Sequence, residues 1–178
     1  MSYAEPHKEV IDACLAGNRQ AQFELYKLYS KAMYNVGLRI LKNATDAEDV
    51  LQNSFIDAFS KLDTFAGQSS FGAWLKRIVI NNSINYLQRK RFNFDEFDAN
   101  THAQDAIENP NDIPYEALSV EKVQKALAQL PDGYRVVFSL YMFEGYDHEE
   151  ISEILQISES TSKSQFHRAK KKLKEILA

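Results

Sequence analysis

Six Lys or Arg and no acid fall within the run SKSQFHRAKKKLK, residues 162–174. On a helix, Lys163, Ser164, His167, Arg168 and Lys171 project together, opposite an inward stripe of Ser162, Phe166, Ala169 and Leu173. That is a set suited to DNA. Arginine can bridge guanine O6 and N7, serine and histidine can bond base edges or phosphate, and lysine meets the backbone. A solvated helix face can look the same, so what precedes the run has to decide between the two. A second set lies in FGAWLKRIVINNSINYLQRKRF, where Lys76, Arg77, Asn81, Asn85 and Arg89 supply cations and amides near the aromatic rings of Phe65 and Trp74. Cations beside aromatics suit single-stranded DNA, because every base has a face to stack and every nucleotide a phosphate to neutralise. An indole at this spacing is also often a core residue. A third set, Asp49, Gln52, Asn53 and Ile56, shares one helix face at i, i+3, i+4 and i+7, with an apolar residue where solvent is expected. It reads either as a contact surface or as ordinary helix exterior.

Catalytic and metal chemistry find no such footing. HEEIS at 148–152 lacks the second histidine of a zinc-protease helix, and His167 has no second His or Cys at ligand spacing on its helix. A nuclease would need clustered carboxylates or a nucleophile with its base, whereas the acids here gather in one central segment or on helix surfaces. We expect no enzyme, no cofactor and no metal. Cys14 is the single cysteine, so an internal disulfide is excluded and a packed free thiol is expected. MSYAEPHKEV has no apolar core of the signal-peptide kind, and no window approaches about 18 consecutive apolar residues, so a cytosolic protein without membrane insertion is expected.

The net charge of −4 conceals a segregation that bears on partners. Residues 1–91 hold 12 basic and 9 acidic side chains, residues 92–116 none and 7, and residues 117–178 hold 9 and 9. The central stretch, with two prolines, no cation and little periodicity, reads as an acidic linker between a domain at 1–91 and another at 117–178. Six Gly and four Pro are few for 178 residues, which favours helices over a sandwich or barrel. The fold expected is all-α, two small helical domains joined by that linker.

The elements that must position the three sets follow from caps and periodicity. Asn18 can cap a long helix with Ala21, Leu25, Leu28, Ala32, Val36 and Ile40 inward, stopping near Asn43. Thr45 and Glu48 in TDAE have the form of a capping box for a helix that buries Ala47, Val50, Leu51, Phe55, Ala58, Phe59 and Leu62. After a glycine-bearing loop, Ser69 or Ser70 can cap a helix running to about Arg91 on a stripe of Phe71, Trp74, Leu75 and Ile78. Past the linker, Val120, Val123, Leu127 and Leu130 mark one helix, Pro131 starts the next and Gly145 ends it. Asp147 can cap HEEISEIL, with Ile151, Ile154 and Leu155 inward; QIS is then a short turn before the basic helix. Two short helices on a tight turn, the second bearing the cations, form a helix-turn-helix pattern, and a major-groove reader belongs in that place.

DAEDVLQNSFIDAFSKLDTF followed by GQSSFGAWLKRIVINNSINYLQRKR resembles region 2 of the sigma-70 family, in its extracytoplasmic function (ECF) subfamily of sigma factors. LPDGYRVVFSLYMFEGYDHEEISEILQISESTSKSQFHRAKKKLKE resembles the family's region 4. The resemblance covers nearly the whole chain, in the right order. It implies a transcription initiation factor that binds RNA polymerase core, melts promoter DNA at the minus-10 element with region 2 and reads the minus-35 element with region 4; an anti-sigma factor is a further implied partner. By position, Asp49, Gln52, Asn53 and Ile56 fall on the polymerase-binding helix. The loop 65–70 with Asn81 falls on the part that captures an unpaired minus-10 base, joined by Lys76, Arg77, Asn85 and Arg89. Lys163, Ser164, His167, Arg168 and Lys171 fall on the minus-35 reader. The alternative is a helix-turn-helix regulator that never touches polymerase, which leaves the first domain without a role. Four positions depart from the family pattern: Ala66 and Gln165 where arginine is frequent, Asn53 where glutamate is frequent, and Ser162 in the apolar core of the recognition helix. Of these, Ala66 and Gln165 imply weaker phosphate attraction and an altered promoter preference. For Ser162 a hydroxyl bonded back one turn is expected, with Phe166 filling the space.

Overall fold

A computed structural model describes residues 5–90 and 120–177. Every regular element among them is helical: α1 (Lys8–Leu15), α2 (Arg19–Leu41), α3 (Ala44–Ser60), a 3₁₀ turn (Leu62–Thr64), α4 (Phe71–Arg89), α5 (Val120–Gln129), α6 (Asp132–Met142), α7 (His148–Leu155) and α8 (Glu159–Leu177). The chain divides into two compact units, residues 1–90 and 91–178. The acidic linker expected at 92–116 lies outside the described residues.

In the first unit α2, α3 and α4 pack on one another, and α1 packs on α2. The Asn18 side chain caps α2 by accepting from the amides of Gln20 and Ala21. The buried stripe of α2 holds Ala21, Leu25, Val36 and Ile40 as expected but departs from the expectation elsewhere. Leu28 and Ala32 are exposed, whereas Met33, Gly37 and Leu41 are buried and Tyr29 is half-buried. Tyr29 is covered from two sides, by His7 ahead of α1 and by Phe71 at the start of α4. A tyrosine presents an apolar body with a polar tip, so periodicity alone misses such cover. The TDAE capping box is not formed either. Lys42 adopts the left-handed conformation directly after α2 (φ 65°), the chain reverses there, and Asn43 caps α3 by accepting from the Asp46 amide at 3.0 Å. Thr45 is thereby already inside the first turn.

The α3 core face holds Ala47, Val50, Leu51, Phe55 and Ala58 as expected, with Ser54 added and Phe59 only half-buried. Ser54 fits because its hydroxyl donates to the Val50 carbonyl, one turn back, at 2.7 Å. Ser70 caps α4 by accepting from the Ala73 amide at 3.1 Å. Phe71 and Leu75 are fully buried, but Trp74 and Ile78 are half-buried, and the stripe continues through Val79, Ile80, Ser83, Ile84 and Leu87. The α4 helix lies between α2 and α3, so a broad face of it is covered rather than a narrow stripe.

In the second unit α8 packs on α5, α6 and α7. Its core joins Ala126, Leu127, Leu130, Phe138, Ala169 and Leu173, with Val123, Tyr134 and Phe166 packed against them. The α6 helix stops at Met142, earlier than expected from Gly145, which instead takes a positive φ (78°) in the turn that follows. Arg135 is buried at 2% exposure, its guanidinium donating to the Asp132 carboxylate and the Leu130 carbonyl. Asp147 caps α7 in a full capping box with Glu150, and Ile151 and Leu155 turn inward with Ile154 half-buried.

Candidate nucleic-acid and polymerase interfaces

The helix-turn-helix is α7, the turn at Gln156–Ser158, and α8. Gln156 ends α7 in the left-handed conformation (φ 57°). Ser158 then starts α8, its hydroxyl accepting from the Thr161 amide at 3.0 Å. Along α8, Lys163 and Lys171 are exposed and Ser164, His167 and Arg168 half-buried, all on the side away from the core of the unit. The five residues expected to read DNA therefore share one face. Part of its charge is compensated locally: Lys163 pairs with Glu159 at 2.6 Å, and further along Lys172 pairs with Glu175 at 3.0 Å. Such exposed pairs are weak and yield readily to a phosphate. The Ser164 hydroxyl donates to the Thr161 carbonyl at 3.0 Å.

Two expectations for α8 are corrected. Gln165 is not on the exposed face but has 0% exposure. Its amide oxygen lies 3.0 Å from where a side-chain carbon on Gly133 would be, so the glycine provides the room it occupies. Ser162 is also fully buried, but its hydroxyl hydrogen-bonds His148 Nδ1 of α7 at 2.9 Å instead of bonding back within α8. The His148 ring stacks on Tyr141 (centroids 4.7 Å apart, planes at 23°) and meets Phe166 edge-on. Phe166 is half-buried, also contacting Tyr141 and Phe138. Burial depresses the His148 pKa below its ordinary value, and nearby Lys163 lowers it further. A polar residue in the core of this helix is thus matched by a partner on the neighbouring helix.

In the first unit, Arg77, Asn81, Asn85 and Arg89 recur every fourth residue and line one side of α4, Asn81, Asn85 and Arg89 exposed and Arg77 half-buried. Lys76 does not belong to that row: adjacent helical positions diverge by about 100°, and Lys76 is half-buried on the same face as the buried Val79, Ile80 and Ser83. Phe65 is also half-buried, edge-on to Phe71 at 5.8 Å and 5.4 Å from Trp74. Beyond it the loop residues Ala66, Gly67, Gln68 and Ser69 are exposed. Two polar groupings tie α3 to α4 and escaped the reading of the sequence. The Asn82 amide donates to the Ser54 hydroxyl and the Asp57 carboxylate. Tyr86 and Lys90 both donate to Asp46, at 2.6 and 2.8 Å. Those bonds hold the Asp46 carboxyl below its usual range, the lysine contributing most, and raise Lys90 in turn.

On α3, Asp49, Gln52 and Asn53 are exposed, and Ile56 is 66% exposed. The stripe is a surface, on the side of α3 opposite its buried face. Among the described residues no group of His, Cys, Asp and Glu could hold a metal ion, and no helix is long and apolar enough to cross a membrane. Cys14 is buried, and that burial raises its thiol pKa.

Comparison with known proteins joins these surfaces. Residues 25–92 match the family described as sigma-70 region 2, and residues 120–173 match sigma-70 region 4. The chain is 29% identical to the RNA polymerase sigma-H factor of Pseudomonas aeruginosa, over 97% of this chain and 94% of that one. It is 33% identical to the ECF RNA polymerase sigma-E factor of Salmonella typhimurium, over 70% of each. The fold resembles that of the sigma factor RpoE from Bartonella quintana, solved in complex with the anti-sigma factor NepR, with a TM-score of 0.58 and 25% identity over 86% of this chain and 94% of that one. With both regions matched in order and relatives aligned along most of their length, the chain belongs to the sigma-70 family, among its extracytoplasmic function sigma factors.

Proposed function

We infer that the chain, as a sigma factor, binds RNA polymerase core and directs it to promoters, and that its three surfaces divide the work. Ile56, Asp49, Gln52 and Asn53 on α3 dock on core. An apolar side chain framed by neutral amides and one acid gains by desolvation, and the polar neighbours set the register. The 65–70 loop with Arg77, Asn81, Asn85 and Arg89 holds the unpaired strand of the minus-10 element. Exposed amides bond the edges of an extruded base while the cations meet phosphate. Arg168, His167, Ser164 and Lys163 enter the major groove at the minus-35 element, with Lys171 beside the backbone. Residues 1–91 and 117–178 act as regions 2 and 4. The protein works without catalysis or cofactor, in the bacterial cytosol, and an anti-sigma factor that covers one or both DNA faces regulates it.

The observation that carries this reading is the exposed Ile56 among polar residues, on a helix whose other face is filled by core contacts. The test is co-purification of core polymerase subunits with the tagged chain. Ile56→Glu places a charge in that contact and should cost roughly 2 to 4 kcal/mol of binding, about 30-fold or more. Because Ile56 lies outside the core, thermal stability should not change. Capture of core unaffected by Ile56→Glu would remove α3 as the docking surface, and failure of the wild-type chain to capture core at all would leave only a helix-turn-helix regulator.

A further inference from the structure

The loop assigned to the minus-10 element is anchored from an unexpected place. The Glu5 carboxylate accepts a hydrogen bond from the Phe71 amide at 2.8 Å, across 66 residues of chain. Phe71 is the first residue of α4, so this amide has no acceptor within the helix. Ser70 already serves the Ala73 amide, and a carboxylate at the positive end of α4 is further favoured by the helix dipole. Two residues on, His7 Nδ1 and the Tyr29 hydroxyl share a hydrogen bond of 2.8 Å, and the rings meet edge-on. Tyr29 in turn lies edge-on to Phe71 at 5.2 Å. It also covers Gly72 so closely that a side-chain carbon there would stand 3.0 Å from the ring. Phe71 then touches both Phe65 and Trp74. The sequence from Glu5 and His7 through Tyr29 and Phe71 to Phe65 is continuous.

We propose that Glu5 and His7 form a clamp on the first turn of α4 that positions the 65–70 loop for capture of unpaired promoter DNA. This rests on the minus-10 role assigned to that loop. Glu5 and His7 both precede residue 25, where the region 2 match begins, whereas Tyr29, Phe65 and Phe71 fall inside it. The clamp therefore lies ahead of the stretch that matches region 2, in the segment that leads into α1. Glu5 is a positioning residue: it fixes where α4 begins, and through Phe71 where Phe65 rests.

Trp74, the single tryptophan, lies 5.4 Å from Phe65 and reports loop packing without any DNA. In the full-length protein, Glu5→Ala removes the acceptor, and loss of a helix cap of this kind shifts the docked-loop equilibrium about fivefold. Acrylamide quenching of Trp74 should rise, whereas Glu5→Gln, which retains an acceptor oxygen, should stay near wild type. In holoenzyme reconstituted with core polymerase, on a duplex selected by the wild-type holoenzyme from a randomised pool, Glu5→Ala should lower permanganate reactivity of melted thymines by a similar factor. Capture of core should be unchanged. Unchanged quenching in Glu5→Ala overturns the clamp. Increased quenching with normal melting overturns its positioning role, and Asn81→Ala run alongside then separates the two ideas. If Asn81→Ala impairs melting the minus-10 assignment survives and the clamp alone fails; if it does not, that assignment fails as well.

Discussion

Replacing Gln165 by arginine, the residue frequent at this place in the family, sets the sequence pattern directly against the structure. By pattern the arginine restores a phosphate contact and tightens DNA binding. By geometry it cannot, because Gln165 has 0% exposure and its amide already lies against Gly133, 3.0 Å from where a side-chain carbon on the glycine would stand, so the site is filled. Arg is longer by more than one heavy atom and carries a charge. Overpacking of a filled core site costs about 1 to 3 kcal/mol, and a guanidinium drawn out of water adds to that unless it is fully paired. A loss of roughly 3 kcal/mol follows, and at about 4 to 8 °C per kcal/mol for a domain of this size the melting point should fall by roughly 12 to 24 °C. Thermal unfolding of the full-length protein by far-ultraviolet circular dichroism measures it, with Trp74 emission following the first unit separately. The loss should appear in the transition that Trp74 does not report. If Gln165→Arg melts like the wild type and binds minus-35 duplex more tightly, with the salt slope steeper by about one, the packing against Gly133 is wrong and position 165 faces DNA.

Other outcomes follow from the same surfaces. Arg168→Ala should cost roughly 1 to 3 kcal/mol on the preferred minus-35 sequence and relax the choice of base, whereas Lys172→Ala should weaken all sequences alike and lower the salt slope by about one. Duplex binding over a panel of single-base variants distinguishes them, and equal weakening on every variant would make Arg168 a phosphate contact. Because burial lowers the His148 pKa, its unfolded form binds a proton more readily. Its contribution to stability is complete above about pH 6.5 and is lost as pH falls through the folded value; His148→Phe should flatten that part of the stability profile, and an unaltered profile would refute it. Asp46, lowered by Lys90 and Tyr86, contributes stability above its unfolded pKa that is lost as pH falls through the folded one. Asp46→Asn should therefore make thermal stability less sensitive to acid, as measured by melting temperature across the acidic range.

How much was legible in the sequence varies with the range of the interaction. The caps at Asn18 and Asp147 were readable, and that of α4 to within Ser69 or Ser70, because a cap and the amides it serves lie within three residues of each other. So was the outward set on α8, since helical period alone puts Lys163, Ser164, His167, Arg168 and Lys171 on one side. The exposed stripe ending in Ile56 needed only the periodicity of α3. What period could not supply was which neighbour covers a side chain. Leu28 and Ala32 are as apolar as a core requires, yet nothing packs over them enough to bury them, while Tyr29 is enclosed by His7 and Phe71 from distant parts of the chain. Gln165 is polar and buried because Gly133, 32 positions earlier, leaves space for it. Ser162 is tolerated in the core because His148 answers its hydroxyl. Local sequence places the helices and most of their caps and outward faces, since those depend on contacts within a turn, although it did not separate Asn43 from Thr45 as the cap of α3. Burial, the pairing of polar groups and the anchorage of a loop depend on which surfaces meet, and only the tertiary structure decides that.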